Sequence, residues 1–300
     1  MAARFVSIGE CMVEMAPAEM DGTFRMGFAG DTCNTAFYLR QLLPNDWDVD
    51  YVTAIGCDRL SNGLRDFLDG CGIGTSSIMR RDDRTLGLYL IELQDGERSF
   101  AYWRSSSAAR TLAEDRQALM DALAGADIVY FSGITLGILD ASSRATLLDC
   151  ADEARSNGAR IVFDSNLRPA LWPDAEAMCA AVSAAAGHSD IVLPSFDDEA
   201  RFFGDADPEA TAGRYADAGA SLVVVKNGEA EIVVREGDAV TRYPSVPAEK
   251  IVDTTAAGDS FNAGFLAAHL TGADLGAAVA RGAELAARVI ARRGAMVDLA

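Results

Sequence analysis

Four apolar runs in the middle of the chain, at residues 127–131, 160–163, 190–193 and 221–225, begin about 30 residues apart. None alternates apolar with polar positions, so each reads as a short strand buried on both faces. The gaps between them carry Ala-rich patterns of helical period at residues 142–155, 175–186 and 209–218. Short buried strands alternating with helices predict βαβ units and a parallel sheet covered by helices on both sides. The segments share a period but little sequence, so this is not a solenoid repeat.

The first hundred residues follow another pattern. Residues 86–93 and 98–104 are strand-like and flank Asp95-Gly96, a strong hairpin turn signal. Apolar and polar residues partly alternate there, so one face of the hairpin can stay open. Residues 11–15 and 23–28 offer two more short strands. Together these segments, about 11–28 and 86–104, predict a small separate sheet, placed to act as a lid over the strand ends and keep water out. The rest of residues 1–300 reads as one domain around the parallel sheet. A second hairpin, 231–243 about Glu236-Gly237-Asp238, is expected at the edge of the main sheet. Helices at 260–270 and 275–292 close the chain.

Open parallel sheets bind ligands at the carboxyl ends of their strands. Here those ends read Ser132-Gly133, Asp164-Ser165-Asn166, Pro194-Ser195 and Lys226-Asn227-Gly228. Ser132 and Ser195 suit ordinary turns. Asp164 to Arg168 is richer in polar groups than a turn requires. Lys226-Asn227-Gly228 fits a turn somewhat better than a direct ligand contact. Residues 27–36 form a Gly-containing loop that runs into a helix at 35–43. Its backbone, Asp31 and Asn34 can hold a polyhydroxy ligand, or a small polar residue there can simply cap the helix.

The most informative local pattern lies at Asp253-Thr254-Thr255-Ala256-Ala257-Gly258-Asp259. Three residues of almost no bulk precede a helix, so a ligand can approach the backbone. The helix start turns unpaired N–H groups and a partial positive charge toward it, which makes an anion site. Asp259 is misplaced if anion binding is its whole task. It makes sense as the base that takes a proton from an attacking hydroxyl, or else as an acidic residue favoured in a first helical turn. Arg104, at the end of the lid hairpin, and Arg168 are expected on the strand-end side. Guanidinium pairs a carboxylate bidentately, which points to an acid substrate; surface ion pairs are the plainer use. Tyr89 and Tyr102 share the lid, either for sugar hydroxyls or for packing.

Composition narrows the class. Half of the residues are hydrophobic and the mean hydropathy is +0.09, so the chain is globular. The formal charge of −19 argues against nucleic acid and against anionic membrane as partners. It does not exclude a small anion held by a local cluster of arginines. No signal peptide or membrane-length apolar run is read, and six cysteines with no C-x-x-C pair fit a reduced, cytoplasmic protein. Two histidines are too few for a histidine-rich metal site.

At this point the pieces resemble a known family. Residues 253–264 are similar to the C-terminal signature of the ribokinase-like (PfkB) carbohydrate kinases, and residues 29–36 to the family's N-terminal glycine signature, about 225 residues upstream. Stretches at 8–14, 30–35, 102–104, 163–172 and 293–295 resemble the branch that acts on a keto-deoxy sugar acid. The resemblance implies a ribokinase-like α/β fold with a β lid that also serves as a dimer clasp, ATP and Mg2+ as cofactors, and phosphoryl transfer to a terminal hydroxyl. It implies Asp259 as catalytic base and Ala256, Ala257 and Gly258 as anion hole. Gly30, Asp31, Asn34, Tyr89, Tyr102, Arg104 and Arg168 would surround the sugar acid. Asp164, Asn166, Lys226 and Gly228 would approach the nucleotide. Fructokinase, ribokinase or nucleoside kinase activity, or a silent sugar-binding regulator, are the alternatives. Two positions depart from the pattern: Ala256 stands where the family often has Gly, and the magnesium-linked Asn-x-x-Glu element becomes Ser195-Phe196-Asp197-Asp198-Glu199, with Asp198 or Glu199 standing for the Glu. Asp253 and Thr255 match positions that bind a monovalent cation, K+, in some relatives.

Overall fold

The structure, a computed structural model, describes residues 2–18, 20, 22–94 and 97–299. The amino-terminal part runs β1 (Ala3–Ile8), β2 (Met12–Pro17), β3 (Phe24–Ala29), α1 (Asp31–Leu42), β4 (Trp47–Val52), β5 (Ala54–Ile55), α2 (Arg59–Gly70), β6 (Met79–Arg80), β7 (Leu88–Gln94) and β8 (Glu97–Trp103). There follow α3 (Arg116–Leu123), β9 (Ile128–Ser132), α4 (Gly133–Ile138), α5 (Ala141–Ser156), β10 (Arg160–Asp164), α6 (Ala175–Gly187), β11 (Ile191–Val192), α7 (Phe196–Phe203) and α8 (Pro208–Ala218). The chain ends with β12 (Leu222–Val225), β13 (Ile232–Glu236), β14 (Ala239–Tyr243), α9 (Ala257–Leu270) and α10 (Leu275–Ile290).

Eight strands form the main sheet in the order β14-β13-β12-β11-β10-β9-β1-β4. The pairs from β12 across to β4 are parallel, and the β13–β14 hairpin is added antiparallel at one edge, as its turn signal predicts. Successive strand residues face opposite sides. Val6, Val129, Phe131, Ile161 and Phe163 therefore join one apolar cluster with Leu119, Leu147 and Met178 of the covering helices. Phe5, Ile128, Tyr130 and Val162 join the other with Leu39, Leu64 and Phe265. Both faces are covered, which is why the strands lack alternation in sequence.

A separate four-stranded sheet has the order β3-β2-β7-β8. The β7–β8 pair is the hairpin expected from the sequence; its Asp95-Gly96 turn lies outside the described residues. Among the parts not legible are two elements and one helix start. Strand β4 carries two aspartates, α7 is only eight residues long, and α1 starts at Asp31, four residues before the apolar period begins. That early start is set by Gly30 in extended backbone (φ −178°), whose carbonyl accepts from the Asn34 N–H at 2.7 Å. Helices α9 and α10 cross closely because Gly264 faces Arg281, whose carbonyl oxygen a Cβ would meet at 2.7 Å.

From β1 the chain moves to β4 on one side, and later from β9 outward on the other. The order thus reverses between β1 and β9, and a crevice opens at the carboxyl ends of these strands.

Candidate active site

A cavity of about 740 Å3 occupies that crevice. Its floor comes from the ends of β10 and β12 and the start of α9, its near wall from the β1–α1 region, and its roof from β7 and β8. Gly30, Asp31, Asn34, Tyr89, Tyr102, Arg104, Asp164, Asn166, Arg168, Lys226 and the run Ala256 to Asp259 all line it. Gly228 does not; it takes φ +56° in the turn between β12 and β13. Gly30 is required by backbone contact, since a Cβ there would lie 2.0 Å from the Glu10 carbonyl oxygen.

The floor is a closed set of polar contacts. Lys226 Nζ donates to Asp164 Oδ1 at 3.3 Å and to Asn262 Oδ1 at 3.0 Å. Asn262 Nδ2 donates back to Asp164 Oδ2 at 2.8 Å and to the Tyr130 hydroxyl at 3.2 Å. Asn262 lies three residues after Asp259 on α9. It was missed at the sequence level, although a polar residue at that spacing inside an apolar helix is a readable signal. Asp31 accepts from Ser132 Oγ at 2.5 Å and from Asn166 Nδ2 at 2.7 Å, so it ties the ends of β9 and β10 together. Asn166 reaches it from a strained backbone position (φ 28°).

Asp259 sits at the base of α9 and is 9% exposed. Asn34 Nδ2 donates to its Oδ2 at 2.8 Å, across 225 residues of sequence. Oδ1 has no hydrogen-bond partner among the described residues and is free toward the cavity. Burial pushes its carboxyl up to about 8; the nearby negative Asp31 and Asp164 add to the rise, while the Asn34 bond and Lys226 oppose it. Burial raises Asp31 as well.

The helix start differs in detail from a row of open amides. The Ala257 N–H bonds to the Thr254 carbonyl at 3.2 Å, and Ser260 N–H to the Ala256 carbonyl at 2.9 Å. The N–H groups of Ala256, Gly258 and Asp259 have no hydrogen-bond partner among the described residues. Ala256 reaches this geometry in the left-handed region (φ 60°, ψ 19°). That conformation costs an alanine roughly 1–2 kcal/mol, so the departure from Gly at this position carries strain. The turn is anchored from behind: Asp253 accepts from the N–H of Thr255 at 3.0 Å and of Gly294 at 2.7 Å.

Two acidic candidates of α7 part company. Asp198 lines the cavity 3.6 Å from Arg168, and burial raises its carboxyl. Glu199 is buried and occupied, accepting from Ser165 Oγ at 2.6 Å, from the Tyr215 hydroxyl at 2.9 Å and from Arg214 Nη2 at 2.7 Å. It fixes α7 to the end of β10 and has no face toward the cavity. Among the described residues, no group of three or more His, Cys, Asp or Glu is placed to hold a metal ion.

At the roof, the Tyr89 hydroxyl donates to Glu14, and the Tyr89 and Tyr102 rings pack with centroids 5.8 Å apart. Arg104 Nη2 donates to Glu10, a residue at the mouth of β1 that is 1% exposed. Glu10 was not singled out for this contact from the sequence. Its signal is a lone carboxylate amid the apolar run that leaves β1. Arg168, by contrast, has a side chain 51% exposed.

Comparison with known proteins agrees with this architecture. The pfkB family of carbohydrate kinases matches residues 2–300. A relative from Dickeya dadantii named 2-dehydro-3-deoxygluconokinase is 42% identical, over 97% of this chain and 96% of its own. One of the same name from Escherichia coli K12 is 40% identical, over 99% and 98%. A crystal structure of a fructokinase with bound ATP from Xylella fastidiosa superposes with a TM-score of 0.85 at 23% identity, over 99% of this chain and 95% of its own, which speaks for the fold. No helix among the described residues is long and apolar enough to cross a membrane. The chain belongs to the pfkB family of carbohydrate kinases.

Proposed function

We propose that this pfkB-family kinase transfers the γ-phosphoryl group of ATP to the terminal hydroxyl of 2-keto-3-deoxygluconate, giving 2-keto-3-deoxy-6-phosphogluconate. The observation that carries the proposal is one cavity holding Asp259, the amides of Ala256, Gly258 and Asp259, all three unpaired among the described residues, and two arginines. The relatives named 2-dehydro-3-deoxygluconokinase support the choice of substrate. Asp259 Oδ1 takes the proton of the attacking hydroxyl; a carboxyl near 8 is matched to that task at neutral pH. Asn34 holds the carboxylate in place through Oδ2. The amides of Gly258 and Asp259, with Ala256, offer preorganised donors to the charge on the transferring group. Positioning and charge neutralisation of this kind supply most of the catalysis in phosphoryl transfer.

Asp164, Asn166 and Lys226 face the nucleotide side of the cavity. Oxygen donors and the carboxylate of Asp198, which lines the cavity beside Arg168, fit a magnesium ion that arrives on phosphates, since Mg2+ is commonly held by one or two carboxylates together with the substrate. When bound it would neutralise phosphate charge. A monovalent cation would sit by Asp253 and Thr255, and replacing K+ by tetramethylammonium tests that. Exposed Phe24, Met26 and Trp103 make the lid sheet the natural dimer clasp; Trp103→Glu should shift a dimer to monomer in light scattering. We place the enzyme in the cytoplasm, where ATP is supplied; reporter fusion tests this.

An ADP-coupled assay over sugar acids, fructose, ribose and nucleosides tests the substrate. The sugar acid should give the highest kcat/KM. A higher value for a neutral sugar would reassign the kinase within the family, and silence across the panel would make it a binding protein.

A further inference from the structure

Among the described residues, the Glu10–Arg104 pair is where the cavity wall keeps buried side-chain polar atoms without partners. Glu10 Oε2 accepts from Arg104, yet Glu10 Oε1 and Arg104 Nε are both buried and unpaired among the described residues. Both residues line the cavity. Space around them is tight. A Cβ on Gly87, at the entry to β7, would lie 2.8 Å from Glu10 Oε1 and 3.2 Å from Arg104 Cβ. An unpaired buried carboxylate oxygen is costly, so a turn of the Glu10 side chain that brings Oε1 to the cavity surface would be favoured by the donor it gains when a ligand arrives.

Charge decides what that donor belongs to. Glu10 neutralises Arg104, so a substrate carboxylate at Arg104 would meet a second carboxylate alongside. Like charges at such range repel strongly in a buried site. Arg168 is less committed: it too has a carboxylate partner, Asp198, but that contact is longer, at 3.6 Å, and its half-exposed side chain keeps guanidinium N–H groups for a second anion.

We propose that Glu10 is a specificity-determining residue whose Oε1 accepts a hydrogen bond from a sugar hydroxyl, while Arg104, already neutralised by Glu10, reads a neutral oxygen and leaves the substrate carboxylate to Arg168. The two arginines then serve different ends of one molecule. The pair reads the configuration of a secondary hydroxyl, the feature on which epimeric sugar acids differ. The substrate's identity as a sugar acid rests on the function proposed above; the hydroxyl contact does not.

The test compares the accepted sugar with its mono-deoxy and epimeric analogues in wild type and Glu10→Gln. A site built to bond a hydroxyl rejects the analogue lacking it by about 10²-fold or more in kcat/KM. Wild type should show that rejection at one position, and Glu10→Gln should reduce it to within about threefold, because glutamine has an acceptor at only one of the two carboxylate oxygen positions and Arg104 claims it. All analogues carry the same carboxylate, so the ratio cancels any general change in anion attraction. Retention of the wild-type ratio at every position would overturn the proposal. If the enzyme prefers a neutral sugar, the ratio is read on that sugar's analogues, so failure of the sugar-acid assignment and failure of the Glu10 contact are told apart. Should Glu10→Gln fold poorly, a crystal structure of wild type with the accepted sugar decides. Glu10 Oε1 within about 3.2 Å of a sugar hydroxyl supports the contact, and Oε1 touching no sugar atom refutes it.

Discussion

At the floor of the cavity, Asp164, Lys226 and Asn262 satisfy one another, and Asn34 holds one oxygen of Asp259. At the roof, Glu10 and Arg104 share a single contact and each keeps a buried atom unpaired, while Tyr102 stands half exposed. The floor also rests on the helix-covered main sheet, whereas the roof is a small separate sheet. The two regions are prepared for different work. Chemistry that is the same at every turnover is served by groups fixed in advance. Selection of a ligand is served by groups that reach full satisfaction only when the right partner arrives.

The strongest way to break this contrast is at the floor. Asp259→Asn should keep the Asn34 contact and the fold but lower kcat by about 10²-fold or more. Near-normal turnover would remove Asp259 from the role of base. The same variant reports on pH. In the folded protein Asp259 holds its proton up to about 8, against an ordinary value of 3.8. The folded state therefore binds a proton that the unfolded chain has released, and this stabilising contribution is present at low pH and lost as pH rises through about 8. Wild type should lose melting temperature as pH rises from about 4 to about 8, and Asp259→Asn should lose less. In activity the sign is opposite: kcat/KM of wild type should climb with pH toward about 8, because the base must be ionised.

Lys226→Met tests whether the floor is a unit. It leaves the buried Asp164 without its counter-charge and should cost about 3–5 kcal/mol in urea unfolding. A loss below about 1 kcal/mol would mean that Asn262 alone is enough for Asp164.

Much of this floor was legible from sequence, and for a physical reason. The runs at 127–225 announce buried parallel strands because both faces are covered, and the small residues before Asp259 announce a helix start open to anions. The roof was legible only in outline. Its hairpin has a local period, but the Glu10–Arg104 pair joins residues 94 apart with no local pattern to betray it. The Glu199–Arg214–Ser165 network was hidden in the same way, by contacts that cross from α7 to α8 and β10. Glu199, one of two residues matched to the magnesium element, proves to be spent there, and Asp198 alone faces the cavity.

At the roof and rim the expected effects are smaller and selective. Arg168→Ala should raise KM for the sugar acid about 10–100-fold, the worth of a charged hydrogen bond, with KM for ATP within about twofold. An equal loss for neutral sugars would show that Arg168 does not read the carboxylate. Smallest is Ala256→Gly. Removing the left-handed strain should stabilise the protein by about 1 kcal/mol, less the extra entropy glycine carries in the unfolded chain. A fall in melting temperature would show that the alanine methyl packs well enough to offset its backbone cost.

The central claim is that the fixed floor at Asp259 directs phosphate onto the terminal hydroxyl of a sugar acid aligned by the roof and by Arg168. Phosphorus and proton NMR of the product formed from ATP and 2-keto-3-deoxygluconate tests it most directly. The expected result is a single phosphomonoester whose phosphorus couples to the two protons of the terminal methylene. A phosphoester on any other carbon, or no phosphoester at all, would contradict it.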